Sequence, residues 1–433
     1  MQEKILLLQI AGLGYHFLRQ NIGGGDLYHH LAVKPVQPLF PALTCVVQAT
    51  MRTATLPRVH GIVGNGFFFK EEWKPLFWEQ SSRLVQGPRI WENFRSRGRK
   101  VALMFIQQSL GPDSDMFLSP APIHKHHGGM ILDCISEPSS LNRRLRKKIG
   151  SVFPLHHYWG PMASVKSSQW ITESLITVME EEKPDFLSAY LPHLDYALQK
   201  YGPQASESRK AFLAIDSLLG RLIPVARREK YRIMLFGDYP ILEAQGVIFP
   251  NKALHKAGLF KTRDIKGRLY PLYHISAAFG IVDHQITHLH VFEAGRQEEV
   301  RKLMEKLPGM DRVLDPSGLA EVGLDHPRSG NLVLVAKPGY WFDYRWWDEQ
   351  KHAPDFATHV DIHNKPGYDP CELFWGWPPP SISQNPHRIK GTHGRVDQSE
   401  PVFYATDVEL PKEPGSLIEL AESIKGWLDK GRG

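Results

Sequence analysis

The sequence predicts an α/β fold with a mostly parallel central sheet, helices on both faces and an inserted segment. Two observations carry that expectation. Short apolar runs of strand length alternate with amphipathic helical stretches, the pattern of a sheet buried on both sides. Acidic residues, Asp195 and Asp238, also follow closely on two of those runs, where an open α/β sheet places its ligands. A chain of 433 residues is long enough for one large domain over 1–433, with 245–345 as an insertion or distal subdomain within it.

The elements follow in order. Lys4–Ile10 is an apolar run that reads as a first core strand; it is too short for a signal peptide and lacks a small-residue cleavage site. Lys100–Ile106 is a second strand of the same kind. Trp170–Glu182 has helical periodicity and ends in an acidic cluster. Asp185–Leu191 then reads as a buried strand, and "PHLDYALQKYGP" as the loop after it. In Arg209–Lys230, Phe212, Ile215, Leu218, Leu219, Leu222 and Ile223 share one helical face, and Tyr231–Phe236 is the strand that follows. Within 245–345 the pattern gives a helix over Gln297–Lys306 and a strand over Asn331–Ala336. The proline-rich stretch 377–393 reads as an extended loop.

Composition narrows the function classes. With 42% hydrophobic and 23% charged residues the chain is ordinary for a globular protein. No run of 18 apolar residues is present, so no membrane-spanning helix is expected and a membrane is not an expected partner. The three cysteines (Cys45, Cys134, Cys371) are widely spaced, without a Cys-x-x-Cys pair. That predicts a reducing, cytoplasmic setting rather than a disulfide framework. Net charge is +6, with basic clusters at Arg95–Lys100 and Arg143–Lys148. These read as solvated helix faces; no nucleic-acid-binding module accompanies them.

The stretch "PALTCVVQATMRTATLPRVHGIVGNG" places Thr44 at the start of a helix, where a threonine ordinarily serves as an N-cap. The same position favours an anion, whether an alkoxide or a phosphate. Pro57 lies 13 residues on, His60-Gly61-Ile62 follows, and Asn65 lies 21 residues on. That framework resembles the nucleotide pyrophosphatase/phosphodiesterase branch of the alkaline phosphatase superfamily. Further motifs match in the same order: "ILLLQIAG", "YLPHLDYALQKYGP", "LFGDY" and "KGTHGR". The resemblance implies an alkaline phosphatase-like catalytic domain with Thr44 as nucleophile and Asn65 contacting the substrate phosphate. It implies metal binding by Asp195, Asp238 and His393.

The sequence also departs from that family. Ala11, Gln199 and Tyr239 stand where the resemblance would place two metal-binding histidines and one aspartate. Alanine has no donor, a neutral tyrosine is a poor ligand, and a glutamine carbonyl suits harder ions better than zinc. His359, Asp361 and His363 alternate in "HVDIH", so on an extended strand they would share one face. Asp361 and His363 are therefore the candidates to supply the missing ligands. In "DHQITHLH", His288 and His290 read instead as buried, hydrogen-bonded histidines, and Cys45 as a small buried hydrophobe. His193 is a substitute ligand of lower rank.

The expected function is a metal-dependent hydrolase of phosphoric diesters or pyrophosphate bonds. One or two divalent ions are implied, zinc first and manganese or magnesium as alternatives, acting on a small phosphorylated substrate. The alternatives are a phosphomonoesterase for a sugar or cyclitol phosphate, and a degenerate member that binds a phosphorylated ligand without hydrolysis.

Overall fold

The structure, a computed structural model, describes residues 3–126 and 130–430. Eight strands of the largest sheet come before residue 245: β1 (Lys4–Ile10), β2 (Leu27–Tyr28), β3 (Leu31–Val36), β4 (Val101–Met104), β5 (Met116–Pro120), β6 (Cys134–Glu137), β7 (Phe186–Leu191) and β8 (Tyr231–Gly237). Four more, β9 (Ala278–Asp283), β10 (Ile286–Val291), β11 (Met310–Leu314) and β12 (Leu332–Ala336), form a separate antiparallel sheet in the order β9-β10-β12-β11. The last strand, β13 (Val402–Thr406), returns to the first sheet. That sheet runs β6-β5-β4-β7-β1-β8-β13-β3-β2. Its middle five strands, β5 to β8 in spatial order, are parallel, and antiparallel strands extend both edges.

The parallel core forms because its strands have no polar face to spare. In β1, Ile5, Leu6, Leu8 and Ile10 are fully buried, and β7 is buried at every position. Each such Leu or Ile stabilises the fold by about 1.5–3 kcal/mol. Five helices matter for the site: α1 (Thr44–Thr53), α2 (Val165–Thr177), α3 (His193–Tyr201), α4 (Ser206–Arg228) and α5 (Leu417–Lys430). α1 packs against α5, and α4 packs against both α2 and α3, so helices flank the sheet as predicted. The apolar face read from the sequence, Phe212 through Ile223, is the buried face of α4.

Three local readings change. The segment after β7 is not a loop: α3 begins two residues beyond the strand and carries Asp195 in its first turn. The helix before β7 starts earlier, at Val165, and its acidic end is wound as a π-turn, Val178–Glu182. His359, Asp361 and His363 do not lie on an extended strand. His359 ends a 3₁₀ turn (Asp355–Thr358), and residues 362–364 form another turn. The second sheet has an apolar cluster of its own, including Phe279, Leu289, Leu332 and Leu334, which also takes in Phe68, Phe77 and the Tyr344–Trp347 aromatics.

Candidate active site

α1 starts directly at Thr44. Its N-cap position is Leu43, so the Thr44 side chain caps nothing. Its Oγ1 instead lies 2.9 Å from the hydroxyl of Tyr239, at the C-terminal end of β8. That hydroxyl also donates to Asp195 Oδ1 at 3.1 Å. The three residues are buried, and they meet because α1, α3 and β8 all end or begin at the same edge of the sheet. Gln199, one helical turn after Asp195, donates to its other oxygen at 2.7 Å and accepts from Tyr368 at 2.7 Å. This is a closed chain, Thr44–Tyr239–Asp195–Gln199–Tyr368.

Thr44, Asp195, Gln199, Tyr239 and His393 line one cavity of about 740 Å³. Asp361 and His363 line it too, on the opposing loop. There they face other partners: Asp361 accepts from the Asn364 amide and His363 Nδ1 lies 3.1 Å from the Phe77 carbonyl. Much of the wall is aromatic, with Trp78, Trp159, Tyr158, Tyr196 and Trp375. Among the described residues that line it there is no lysine or arginine.

Asn65 and Asp238 are buried behind that wall rather than in it. Asn65 Oδ1 accepts from the Cys45 amide at 3.0 Å, which ties it to the first turn of α1. Its own amide and side chain both donate to Asp283, at 2.8 and 3.1 Å. The second sheet thus fixes the start of α1. This role of Asp283 was missed in the sequence, where it showed only as one member of an acidic and histidine-rich run. Asp238 spends both oxygens inside the fold: Gln9 Nε2 at 2.6 Å on one, the Gly12 and Tyr239 amides at 2.9 Å each on the other.

Burial sets the electrostatics. It pushes the Asp195 carboxyl up to about 7, against the lowering effect of Gln199 and Tyr239. Asp238 rises to about 8 and Asp283 to about 6 for the same first reason. The same loss of water holds His284 and His393 well below their ordinary value, hence neutral. His393 Nδ1 lies 2.8 Å from the Ala42 carbonyl, and its ring lies flat on Tyr239, centroids 3.6 Å apart. Its Nε2 is buried without a partner. His284 stacks on Tyr368 and pairs with Asp283 at 2.7 Å. His288 is hydrogen-bonded to the Val63 carbonyl, as read from the sequence, and burial pushes the Cys45 thiol up to about 12. His193 faces a different, smaller cavity.

A family profile described as type I phosphodiesterase/nucleotide pyrophosphatase matches residues 27–369. The chain belongs to this family. Its members are enzymes acting on phosphoric esters, generally dependent on divalent metal. An uncharacterised pyrophosphatase/phosphodiesterase of Schizosaccharomyces pombe is 22% identical over 198 residues, a match covering 43% of this chain and 32% of that protein. Among solved structures, a phosphonoacetate hydrolase of Sinorhizobium meliloti in complex with phosphonoformate superposes with a TM-score of 0.66 at 14% identity, over 100% of this chain and 96% of that one. Murine ectonucleotide pyrophosphatase/phosphodiesterase 5 does so with 0.62 at 15%, over 99% and 95%. At these identities the structures establish a shared fold. Among the described residues no helix is long and apolar enough to cross a membrane.

The family's metals do not fit the residues this member presents. Ala11 has no donor, both Asp238 oxygens are taken, and Gln199 offers Asp195 its amide rather than a free carbonyl. Of the family's positions, one carboxylate and one imidazole are left, with His393 Nε2 4.0 Å from Asp195 Oδ1. Beside them His284, whose ring centroid is 3.8 Å from that of His393, keeps a second buried Nε2 without a partner. Among the described residues no group of three or more His, Cys, Asp or Glu side chains is placed to hold a metal. Asp361 and His363, the candidates to repair the set, do not join Asp195 and His393 in such a group.

Proposed function

We propose that the chain hydrolyses phosphoric diesters or pyrophosphate bonds with Thr44 as nucleophile. The observation that carries this is the position of Thr44: a hydroxyl at the first turn of a ten-residue helix, on the wall of a deep cavity. The helix start favours the negative charge that builds on an attacked phosphoryl group. Thr44 Oγ1 would attack phosphorus, displace the ester oxygen and leave a phosphothreonine that water then hydrolyses. Asn65, held by the Cys45 amide and by Asp283, would fix the geometry of that helix start; one of its two amide hydrogens is free of Asp283.

The cavity favours a diester over a monoester. A dianionic monoester would bring two charges to a wall that has no lysine or arginine among its described residues, whereas a diester brings one. The aromatic wall suits a bulky, largely apolar ester group. Zinc prefers nitrogen and sulfur ligands in sets of three or four. On this cavity His284 and His393 each keep a partnerless Nε2, and among the described residues no three His, Cys, Asp or Glu side chains converge to hold it.

Hydrolysis of bis-p-nitrophenyl phosphate, compared with p-nitrophenyl phosphate, tests the reading. The diester should be turned over faster, and Thr44→Ala should abolish turnover while costing only about 1 kcal/mol of stability for the lost hydrogen bond. Full activity in Thr44→Ala would eliminate Thr44 as nucleophile. A second reading, binding of a phosphorylated ligand without turnover, is favoured by the altered ligand positions Ala11, Gln199 and Tyr239. It predicts saturable binding with no product from either ester.

A further inference from the structure

We propose that Tyr239 takes the part of a metal at this centre: its hydroxyl, backed by Asp195, receives the proton of Thr44 when Thr44 attacks phosphorus. The inference rests on the reading of Thr44 as nucleophile and adds how this chain activates it.

The geometry is a short, closed relay. Tyr239 Oη is 2.9 Å from Thr44 Oγ1 and 3.1 Å from Asp195 Oδ1. A phenolic oxygen carries one hydrogen, which it gives to Asp195, and so it accepts the hydrogen of Thr44. The ring cannot swing away. It is 1% exposed and lies parallel to His393, with a 4° angle between the planes. The residues around it hold Asp195 as an acceptor: Gln199 donates to its second oxygen, and Tyr368 fixes the Gln199 carbonyl from the other side. Asp238 is turned away from Thr44 by its bonds to Gln9 and to the Gly12 and Tyr239 amides. Among the described residues no carboxylate other than Asp195 is hydrogen-bonded to the Thr44 or Tyr239 hydroxyl.

The step balances without a co-reactant. The Thr44 Oγ1–P bond forms as the bond from phosphorus to its leaving group breaks, and the leaving group departs with the electron pair. The Thr44 proton moves to Tyr239 Oη as the Tyr239 proton moves to Asp195 Oδ1. Tyr239 is the catalytic residue, since it touches the reacting oxygen. Asp195 acts through it and is a positioning residue.

Two measurements on the full-length chain test this. Purified protein, never exposed to chelator, is analysed for bound metals by plasma mass spectrometry. It is then treated with EDTA and with diisopropyl fluorophosphate, a neutral phosphoryl donor with fluoride as leaving group. Far less than one metal per chain, and a diisopropylphosphoryl group on Thr44 formed at the same rate with and without EDTA, are the expected results. Tyr239→Phe keeps the ring and its stacking, and should slow the labelling about a hundredfold, the usual worth of proton transfer by a positioned side chain. Asp195→Asn should slow it as well. For both variants the loss should fall on the maximal labelling rate and not on the concentration for half-saturation, which a merely structural role would not separate. A stoichiometric metal whose removal stops the labelling would overturn the inference, as would undiminished labelling in a folded Tyr239→Phe. So would no label on Thr44 in the native chain. Labelling of Thr44 without turnover of bis-p-nitrophenyl phosphate would sink the hydrolase reading alone.

Discussion

Lys365 offers the sharpest test of how the cavity wall is held. Its ammonium is 1% exposed and lies 2.8 Å from Asp369 Oδ2 and 2.7 Å from Glu372 Oε1, carboxylates that are themselves 5% and 1% exposed. Glu372 in turn receives the Trp159 indole at 2.5 Å and the Asp361 amide at 2.9 Å, and both of those residues line the cavity. Lys365→Met keeps most of the aliphatic stem and removes only the charge, so little cavity is created. It leaves two buried carboxylates side by side without a counter-charge, a loss of about 3–5 kcal/mol. Equilibrium unfolding in urea, read by tryptophan fluorescence, measures it. Adding Glu372→Gln should recover part of the loss, because one of the stranded charges goes with it; the coupling between the two sites should be about 1–3 kcal/mol. The same variant should weaken binding of bis-p-nitrophenyl phosphate, since Trp159 and Asp361 lose their anchor. A loss below about 1 kcal/mol, or strictly additive effects of the two substitutions, would refute the claim that this triad holds the wall.

Three further outcomes follow from the same physics. His60 is fully buried between the Thr50 hydroxyl and the Ile62 amide, and burial, with Arg52 next, lowers its pKa to about 3. Its contribution is thus complete above pH 6.5 and is lost as pH falls below that value, by about 1.4 kcal/mol per pH unit; the stability gap between native chain and His60→Gln, measured by urea unfolding, should shrink by about 2 kcal/mol between pH 7 and pH 5. Combining Ala11→Asp, Gln199→His and Tyr239→His should create a metal site, seen as cobalt absorption that the native chain lacks. Gly237, just before Asp238, has the Leu13 carbonyl oxygen 2.0 Å from where a Cβ would stand, so Gly237→Ala should cost about 1–3 kcal/mol or more and distort the end of β8, detectable as a lowered thermal midpoint.

The fold was written locally and could be read locally. Runs such as Lys4–Ile10 and Phe186–Leu191 are apolar at nearly every position, which only a strand covered on both faces satisfies, and the helical face of α4 repeats in sequence what it buries in space. The framework around Thr44 and Asn65 was legible for the same reason: helix start, proline, His60 and glycine turn are neighbours in the chain. Boundaries failed where tertiary packing overrode local pattern. "PHLDYALQKYGP" looks like a loop because of its proline and charges, yet α3 forms there by burying Leu194, Tyr196 and Leu198. The 359–363 alternation suggested a strand, but residues 362–364 pair with no neighbouring strand and turn instead.

The sequence by itself determined the parallel sheet and the placing of Thr44 at a helix start, because each depends on residue type and on spacing along one segment; that positions 11, 199 and 239 lack metal donors follows only from the resemblance to the family. Tertiary structure alone decided what surrounds the Thr44 hydroxyl. Thr44, Asp195 and Tyr239 lie on three separate elements, and nothing in their spacing tells which hydrogen bonds to which. The docking of α1 and α3 at the end of β8 puts the Tyr239 hydroxyl between the other two. The second sheet, through Asp283, holds Asn65 against the start of that same helix.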